Sequence, residues 1–170
     1  MLRWFLRRRI DAEEKKLGES MDYLRHVADV SPTAALRFAG IMSFANGRKD
    51  LPADAWFSAQ IVTLQREDCG PCLQIAINLA RQQGVSADLI RAVVERRYGD
   101  LTEEVADVCA FSMSVVDGHD DDTLREKLRA RYGNRALIEL SFAIASARIP
   151  PTVKRVLGYA KSCRMVEIHP

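Results

Sequence analysis

The stretch Arg66-Glu67-Asp68-Cys69-Gly70-Pro71-Cys72-Leu73-Gln-Ile-Ala-Ile-Asn-Leu-Ala80 carries the organisation of the chain in miniature. A pattern with helical spacing runs up to Arg66, two cysteines flank Gly-Pro, and an Ala-rich apolar run follows. Pro71 suits a first helical turn, because the N–H it lacks would be unpaired there in any case. The pattern predicts a helix that starts at the Cys-x-x-Cys pair and ends at Gly84. Leu73, Ile75, Ala76, Ile77, Leu79 and Ala80 leave it apolar on almost every side, so it is expected to be the central, buried helix.

The same punctuation repeats outward. Leu51-Pro52-Ala-Asp54 opens a helix toward Arg66, with Trp56, Phe57, Gln60, Ile61 and Leu64 on one side. Ser31 is placed to cap a helix that begins at Pro32, with Ala35, Phe38, Ala39, Met42 and Phe44 as its apolar face and Asn46-Gly47 as its end. Two more patterns precede it, one over 2–17 stopped by Gly18 and one over 20–28. Downstream, Ser86-Ala-Asp-Leu starts a helix ending near Tyr98-Gly99. Leu101-Thr-Glu-Glu starts the next, whose inner stripe is Val105, Val108, Cys109, Ser112, Val115 and Val116. Asp117-Gly118-His119 closes it. Asp120 to Asp122 place negative charge at the start of a charged, exposed helix over 123–132, where the helix dipole favours it. Residues 135–148 are apolar and Ala-rich, Pro150-Pro151 reads as an interruption, and a last helix runs to about Cys163. Hardly any stretch sustains period-two alternation, so the fold class is all-α. The expected division is a basic and apolar arm or helix over 1–19, a single helical domain over 20–165 and a tail over 166–170.

Composition narrows the function classes. The chain has 170 residues, 48% of them hydrophobic and 28% charged, with a formal net charge of +2. So small an excess, with no long basic face, argues against a nucleic-acid partner. Four cysteines in a chain this long do not make a disulfide-stapled secreted scaffold, and a cytoplasmic protein is expected. No uninterrupted apolar run reads as a membrane span. Trp4, Phe5 and Leu6 beside Arg7, Arg8 and Arg9 could touch an anionic membrane surface, but so short a segment binds lipid weakly alone. The favoured expectation is an arm packed on its own domain or on a neighbouring subunit.

Cys69 and Cys72 are the chemistry-bearing pair. Thiolate is the reactive form of cysteine, and a helix N-terminus stabilises an anion through its partial positive charge and unpaired N–H groups. Two intervening residues bring both sulfurs onto one turn, where dithiol and disulfide interconvert without backbone rearrangement. Glu67 and Asp68 oppose thiolate formation unless they point away, or else one of them takes the thiol proton. Zinc is set aside, because a site needs about four ligands and His26, His119 and His169 are scattered with no second cysteine pair. Cys-Gly-Pro-Cys is also the active-site string of thioredoxin, but that fold needs a strand before it, and 56–66 has helical spacing. Cys109 is expected in the core, and Cys163 is expected to be incidental, with a resolving thiol as the alternative.

A helix, then Glu-Asp-Cys-Gly-Pro-Cys, then a buried Ala-rich helix, flanked by Leu51-Pro-Ala-Asp-Ala-Trp56 and Ile149-Pro-Pro-Thr-Val-Lys-Arg-Val-Leu-Gly158, resembles the alkylhydroperoxidase D and carboxymuconolactone decarboxylase superfamily. The resemblance covers roughly residues 22–163. It implies an all-helical domain without cofactor or metal, assembled as a homo-oligomer (dimer, trimer or hexamer). It also implies reduction of a small hydroperoxide by a Cys-x-x-Cys pair that a dithiol protein re-reduces. Two positions depart from the pattern. The peroxidases carry a His four residues after the second Cys, where this chain has Ala76, and a Glu twelve residues before the first Cys, where it has Phe57. Gln60, Glu67 and Asp68 are the polar groups nearby. The implied activity is a thiol-dependent oxidoreductase using Cys69 and Cys72; the alternative is a non-catalytic oligomeric scaffold that has lost the proton relay.

Overall fold

A computed structural model describes residues 1–160 and 166–168, apart from the side chains of Phe44 and Asn46. Eight α-helices carry these residues: α1 (Leu2–Leu17), α2 (Asp22–Val30), α3 (Pro32–Met42), α4 (Ala53–Arg66), α5 (Gly70–Gln82), α6 (Ala87–Val94), α7 (Glu103–Val116) and α8 (Asp122–Val156). Among the described residues there is no strand, so the fold class is all-α.

The central helix is α4, which corrects the expectation that the cysteine helix holds that place. Every residue from Ala55 to Leu64 is buried, with α5, α6, α7 and α8 packed around it. A helix enclosed on all sides is mostly apolar, and Ala-Trp-Phe-Ser-Ala-Gln-Ile-Val-Thr-Leu is so apart from two hydroxyls and the Gln60 amide. Thr63 donates to the Ala59 carbonyl at 2.7 Å, so its hydroxyl is paired inside its own helix. By contrast, α5 buries one side only: Cys72, Leu73, Ala76, Ile77 and Ala80. Its other side is polar in use. Gln74 exchanges two hydrogen bonds with the backbone of Glu167, and Asn78 Nδ2 donates to the Leu17 carbonyl at 3.0 Å.

A second, smaller core joins Leu6 of α1, Ala28 of α2 and Ala35 of α3. Ser31 caps α3 as expected, its Oγ accepting from the Ala34 N–H at 3.2 Å. This three-helix unit meets the main body where Lys154 Nζ lies 5.0 Å from the centre of the Tyr23 ring. Both side chains are buried. Burial pulls the Lys154 ammonium below the ordinary lysine value, and Glu19 partly offsets that.

Two expectations about the C-terminal half change. The boundary between the charged and Ala-rich patterns appears as Gly133, a break in α8 at φ 81° that only glycine adopts comfortably. The Pro150-Pro151 pair, however, does not interrupt: α8 continues through both to Val156. Each proline lacks the N–H that would bond four residues back, yet Pro151 and Lys154 are buried, and that packing carries the helix onward. By length and composition α8 also passes for a helix able to cross a membrane, although Gly133 breaks it and Glu139 and Arg148 interrupt its apolar run. The helix does not run to Cys163, since Leu157 and Gly158 end it. Cys163 and His169 lie outside the described residues.

Five helices end in the same device, a residue in the left-handed region whose N–H and successor's N–H bond back to the helix's final carbonyls. Gly84, Gly118 and Gly158 serve α5, α7 and α8, while Asp68 (φ 47°) serves α4 and Arg96 (φ 59°) serves α6. A side chain in that region costs ~1 kcal/mol. Arg96→Gly is therefore expected to raise unfolding free energy by ~1 kcal/mol, as read by urea denaturation.

Glu139, on α8, is a buried acid inside an otherwise apolar stretch. Its carboxylate accepts the backbone N–H groups of Lys49 (2.9 Å), Asp50 (3.0 Å) and Leu51 (2.7 Å), the three residues that lead to Pro52 and α4. Burial pushes its carboxyl up, but the bonds from Leu51, Asp50 and Lys49 outweigh it and leave the group below the ordinary value of 4.5. Glu139→Ala leaves three donors without that acceptor and is expected to cost ~3 kcal/mol in the same denaturation assay.

Candidate functional site

The turn between α4 and α5 positions the cysteines. Asp68 turns left-handed and donates its N–H to the Gln65 carbonyl at 3.3 Å, and Cys69 donates to the Leu64 carbonyl at 3.4 Å. Cys69 is thus the last residue held by α4 and at once the N-cap of α5, with Gly70 and Pro71 opening the new helix. Its carbonyl accepts from the Leu73 N–H at 2.9 Å, which closes the first turn. Cys69 and Cys72 are joined as a disulfide with a Cα–Cα distance of 5.3 Å. Their side chains belong to the main core cluster, together with Trp56 and Phe57 of α4. Cys69 is 8% and Cys72 6% exposed, so a reacting partner reaches the pair only at its rim.

No side chain caps the start of α5. The N–H groups of Gly70 and Cys72 therefore remain the polar donors of that first turn, Pro71 having none. An anion at this end gains from them and from the helix dipole.

Glu67 and Asp68 have different surroundings. Glu67 is buried and ends α4. Its Oε1 accepts from Arg148 Nε at 3.0 Å and its Oε2 from Arg155 at 2.7 Å, and Arg155 also donates to the Glu67 carbonyl. Burial alone raises this carboxyl, but the bonds from Arg155 and Arg148 outweigh it and hold the group below 4.5. Both oxygens are engaged and the anion is favoured, which makes Glu67 a weak proton acceptor and a strong anchor. Asp68 is exposed and serves the turn through its backbone. Gln60 is buried on α4, and Ala76 and Phe57 are buried apolar residues at the two positions where the resembled peroxidases carry acid–base groups.

Arg148 and Arg155 are the site residues that sequence reading passed over. Both sit in the segment read as apolar and then broken by prolines. Had 135–156 been taken as one helix, two arginines seven residues apart on one face would have stood out.

The remaining candidates separate cleanly. Cys109 is fully buried and its thiol is pushed up to about 12 by burial, so it is inert. His119 is exposed after α7, and His26 packs on Tyr159 at 5.7 Å. Among the described residues no three His, Cys, Asp or Glu side chains converge as metal ligands do. A shallow cleft of about 350 Å³ lies at the far end of α4, lined by Asp50, Arg135, Ile138 and Glu139 among others. That concavity is not at the cysteines, so it is no substrate pocket for them.

No protein-family model, curated protein or solved structure matches the chain.

The pH dependence of the site follows from Glu67. Its folded value lies below the unfolded one, so its stabilisation is full above the ordinary carboxylate range and is lost as pH falls through the lowered value. Glu67→Gln is expected to lower the melting temperature at neutral pH and to converge with the unsubstituted protein in acid, as read by thermal denaturation across pH.

Proposed function

We propose that the chain is a thiol–disulfide oxidoreductase of the alkylhydroperoxidase D-like kind, in which Cys69 and Cys72 cycle between dithiol and disulfide. The observation that carries this reading is the pairing of the two sulfurs on the uncapped first turn of α5. A structural staple joins distant parts of a chain; a bridge over a separation of three residues closes almost no loop and adds little stability by that route. Its value is chemical.

The proposed step balances as follows. One thiolate attacks the distal oxygen of a hydroperoxide ROOH, the O–O bond breaks, and ROH leaves after taking a proton, giving a sulfenic acid. The second thiol displaces its hydroxyl as water, and the S–S bond forms. The cysteines lose two electrons and the peroxide gains them. A dithiol protein then returns the pair to the thiol form by exchange. A protein disulfide in place of the hydroperoxide requires only the exchange half. The same resemblance supports a homo-oligomer, with no cofactor. Missing acid–base groups at 57 and 76 cost rate, since such help contributes about two to four powers of ten. Thiolate formation then rests on the Gly70 and Cys72 N–H groups and the dipole of α5.

One observation favours a second reading, a non-catalytic scaffold: both sulfurs are buried and Glu67, the nearest buried acid, is committed to Arg148 and Arg155. Alkylation rates against pH in the reduced Cys69→Ser and Cys72→Ser variants distinguish the two. The oxidoreductase reading expects one thiol to ionise well below the free value of about 8.5, with consumption of an organic hydroperoxide in the presence of dithiothreitol. Titration at or above that value, with no peroxide consumed, overturns it in favour of the scaffold.

A further inference from the structure

The first two turns of α1 present large apolar side chains to solvent: Trp4 is 63% and Phe5 53% exposed. Only Leu6 of this helix is buried, so the helix is not an arm folded onto the domain through its aromatic residues. Helical spacing separates two faces. Leu6 and, four residues on, Ile10 share the inner one. Trp4, Arg8 and Lys15 follow one another along the outer face, with Phe5, Arg9, Ala12 and Lys16 beside them. Arg8 stacks on Trp4, its guanidinium carbon 4.9 Å from the ring centre.

Two of the three acids of α1 are drawn to α2. Asp11 and Glu14 both pair with Arg25 of α2, at 2.8 and 2.9 Å. Arg7 is likewise neutralised by Asp29 at 2.5 Å. What remains outward is an aromatic pair set among Arg8, Arg9, Lys15 and Lys16, with Glu13 exposed one turn from Arg9 and Asp11 committed to Arg25. The C-terminus of α2 lies at this end of the unit, because Asp29 meets Arg7, and it adds exposed Val30.

We infer that this outer face of α1 docks on an anionic lipid surface, with Trp4 and Phe5 at the headgroup level and the basic side chains on lipid phosphates and carboxylates. Interleaved aromatic and basic residues on a helix lying in the interface are what such a surface binds. Each arginine or lysine near an anionic leaflet contributes on the order of 1 kcal/mol. A neutral apolar partner leaves four cations unmatched. A second copy of the same face sets four cations against four. The anionic lipid surface is the occupant whose charge fits.

The test is co-sedimentation of the full chain with vesicles of phosphatidylcholine alone and of phosphatidylcholine with phosphatidylserine. Binding is expected only to the anionic vesicles and should weaken as salt rises. Arg8→Glu/Arg9→Glu and, separately, Trp4→Ala/Phe5→Ala should each weaken it at least about tenfold. Both pairs are exposed, so helicity by circular dichroism should not change. Tryptophan emission should shift to the blue on binding, and the shift should vanish in Trp4→Phe, which keeps Trp56. Equal binding to neutral vesicles, no binding to either, or unchanged binding by both double variants overturns the proposal. So does a dimer that dissociates in Trp4→Ala/Phe5→Ala, since a second copy would then cover the face.

Discussion

One helix holds both ends of another. Glu139 of α8 accepts the backbone N–H groups just before α4, and Arg148 and Arg155 of α8 grip Glu67 at its end. Leu51 and Glu67 are sixteen residues apart, as are Glu139 and Arg155, a separation of ~24 Å at the helical rise. The matched spans mean that this part of α8 runs alongside α4 in the same direction. Parallel helices align their dipoles unfavourably, and the charges answer that directly. The carboxylate sits at the positive end of α4 and the two guanidinium groups at its negative end. Polar backbone just outside both ends of α4 is satisfied by α8, the Lys49, Asp50 and Leu51 N–H groups by Glu139 and the Glu67 carbonyl by Arg155.

The cysteine pair depends on this clamp. Because Cys69 is held by α4 through Leu64 and caps α5 in the same residue, the position of the dithiol is fixed by how α4 ends. Arg155 fixes that end through the side chain and the carbonyl of Glu67 together. Glu67 thus serves the site by position, as an ionised anchor, and the anion-stabilising work falls to the backbone of α5. A helix end acts on charge without itself taking a proton. On the proposed oxidoreductase reading, such a site asks more of the thiolate than of proton shuttling.

Much of this is legible in the sequence. Gly18, Ser31-Pro32, Ser86 and Gly118 mark helix ends through local backbone chemistry, which sequence carries explicitly. The central helix was misplaced because apolar composition alone does not say which of two adjacent helices is enclosed. Ile75 and Leu79 made α5 look buried all round, whereas in α4 the spacing of Trp56, Phe57, Gln60, Ile61 and Leu64 marked one side only. The prolines at 150 and 151 misled for a related reason. Their local cost is certain, but the burial of Pro151 and Lys154 that outweighs it is a tertiary fact. Glu139 was likewise silent in the sequence, since a lone acid in an apolar run announces a partner without naming it.

The N-terminal unit shows how charge and apolar surface divide labour. Its own core is Leu6, Ala28 and Ala35, which amounts to roughly 3 kcal/mol of apolar burial by the usual transfer values. That cannot order three helices by itself against the conformational entropy they lose. Exposed ion pairs such as Arg7–Asp29 add at most about 1 kcal/mol each, so they orient α1 on α2 more than they stabilise it. The unit is held in place by the main body, through Tyr23 against Lys154 and through the Asn78 amide on the Leu17 carbonyl. Helix α1 is thus fixed at its C-terminal end and across its inner face. Its largest apolar side chains take no part in either attachment. The inner face of α1 is already filled, with Leu6 buried and Ile10 packed on the same small core, so Trp4 and Phe5 stay on the outer face without a role in holding the helix.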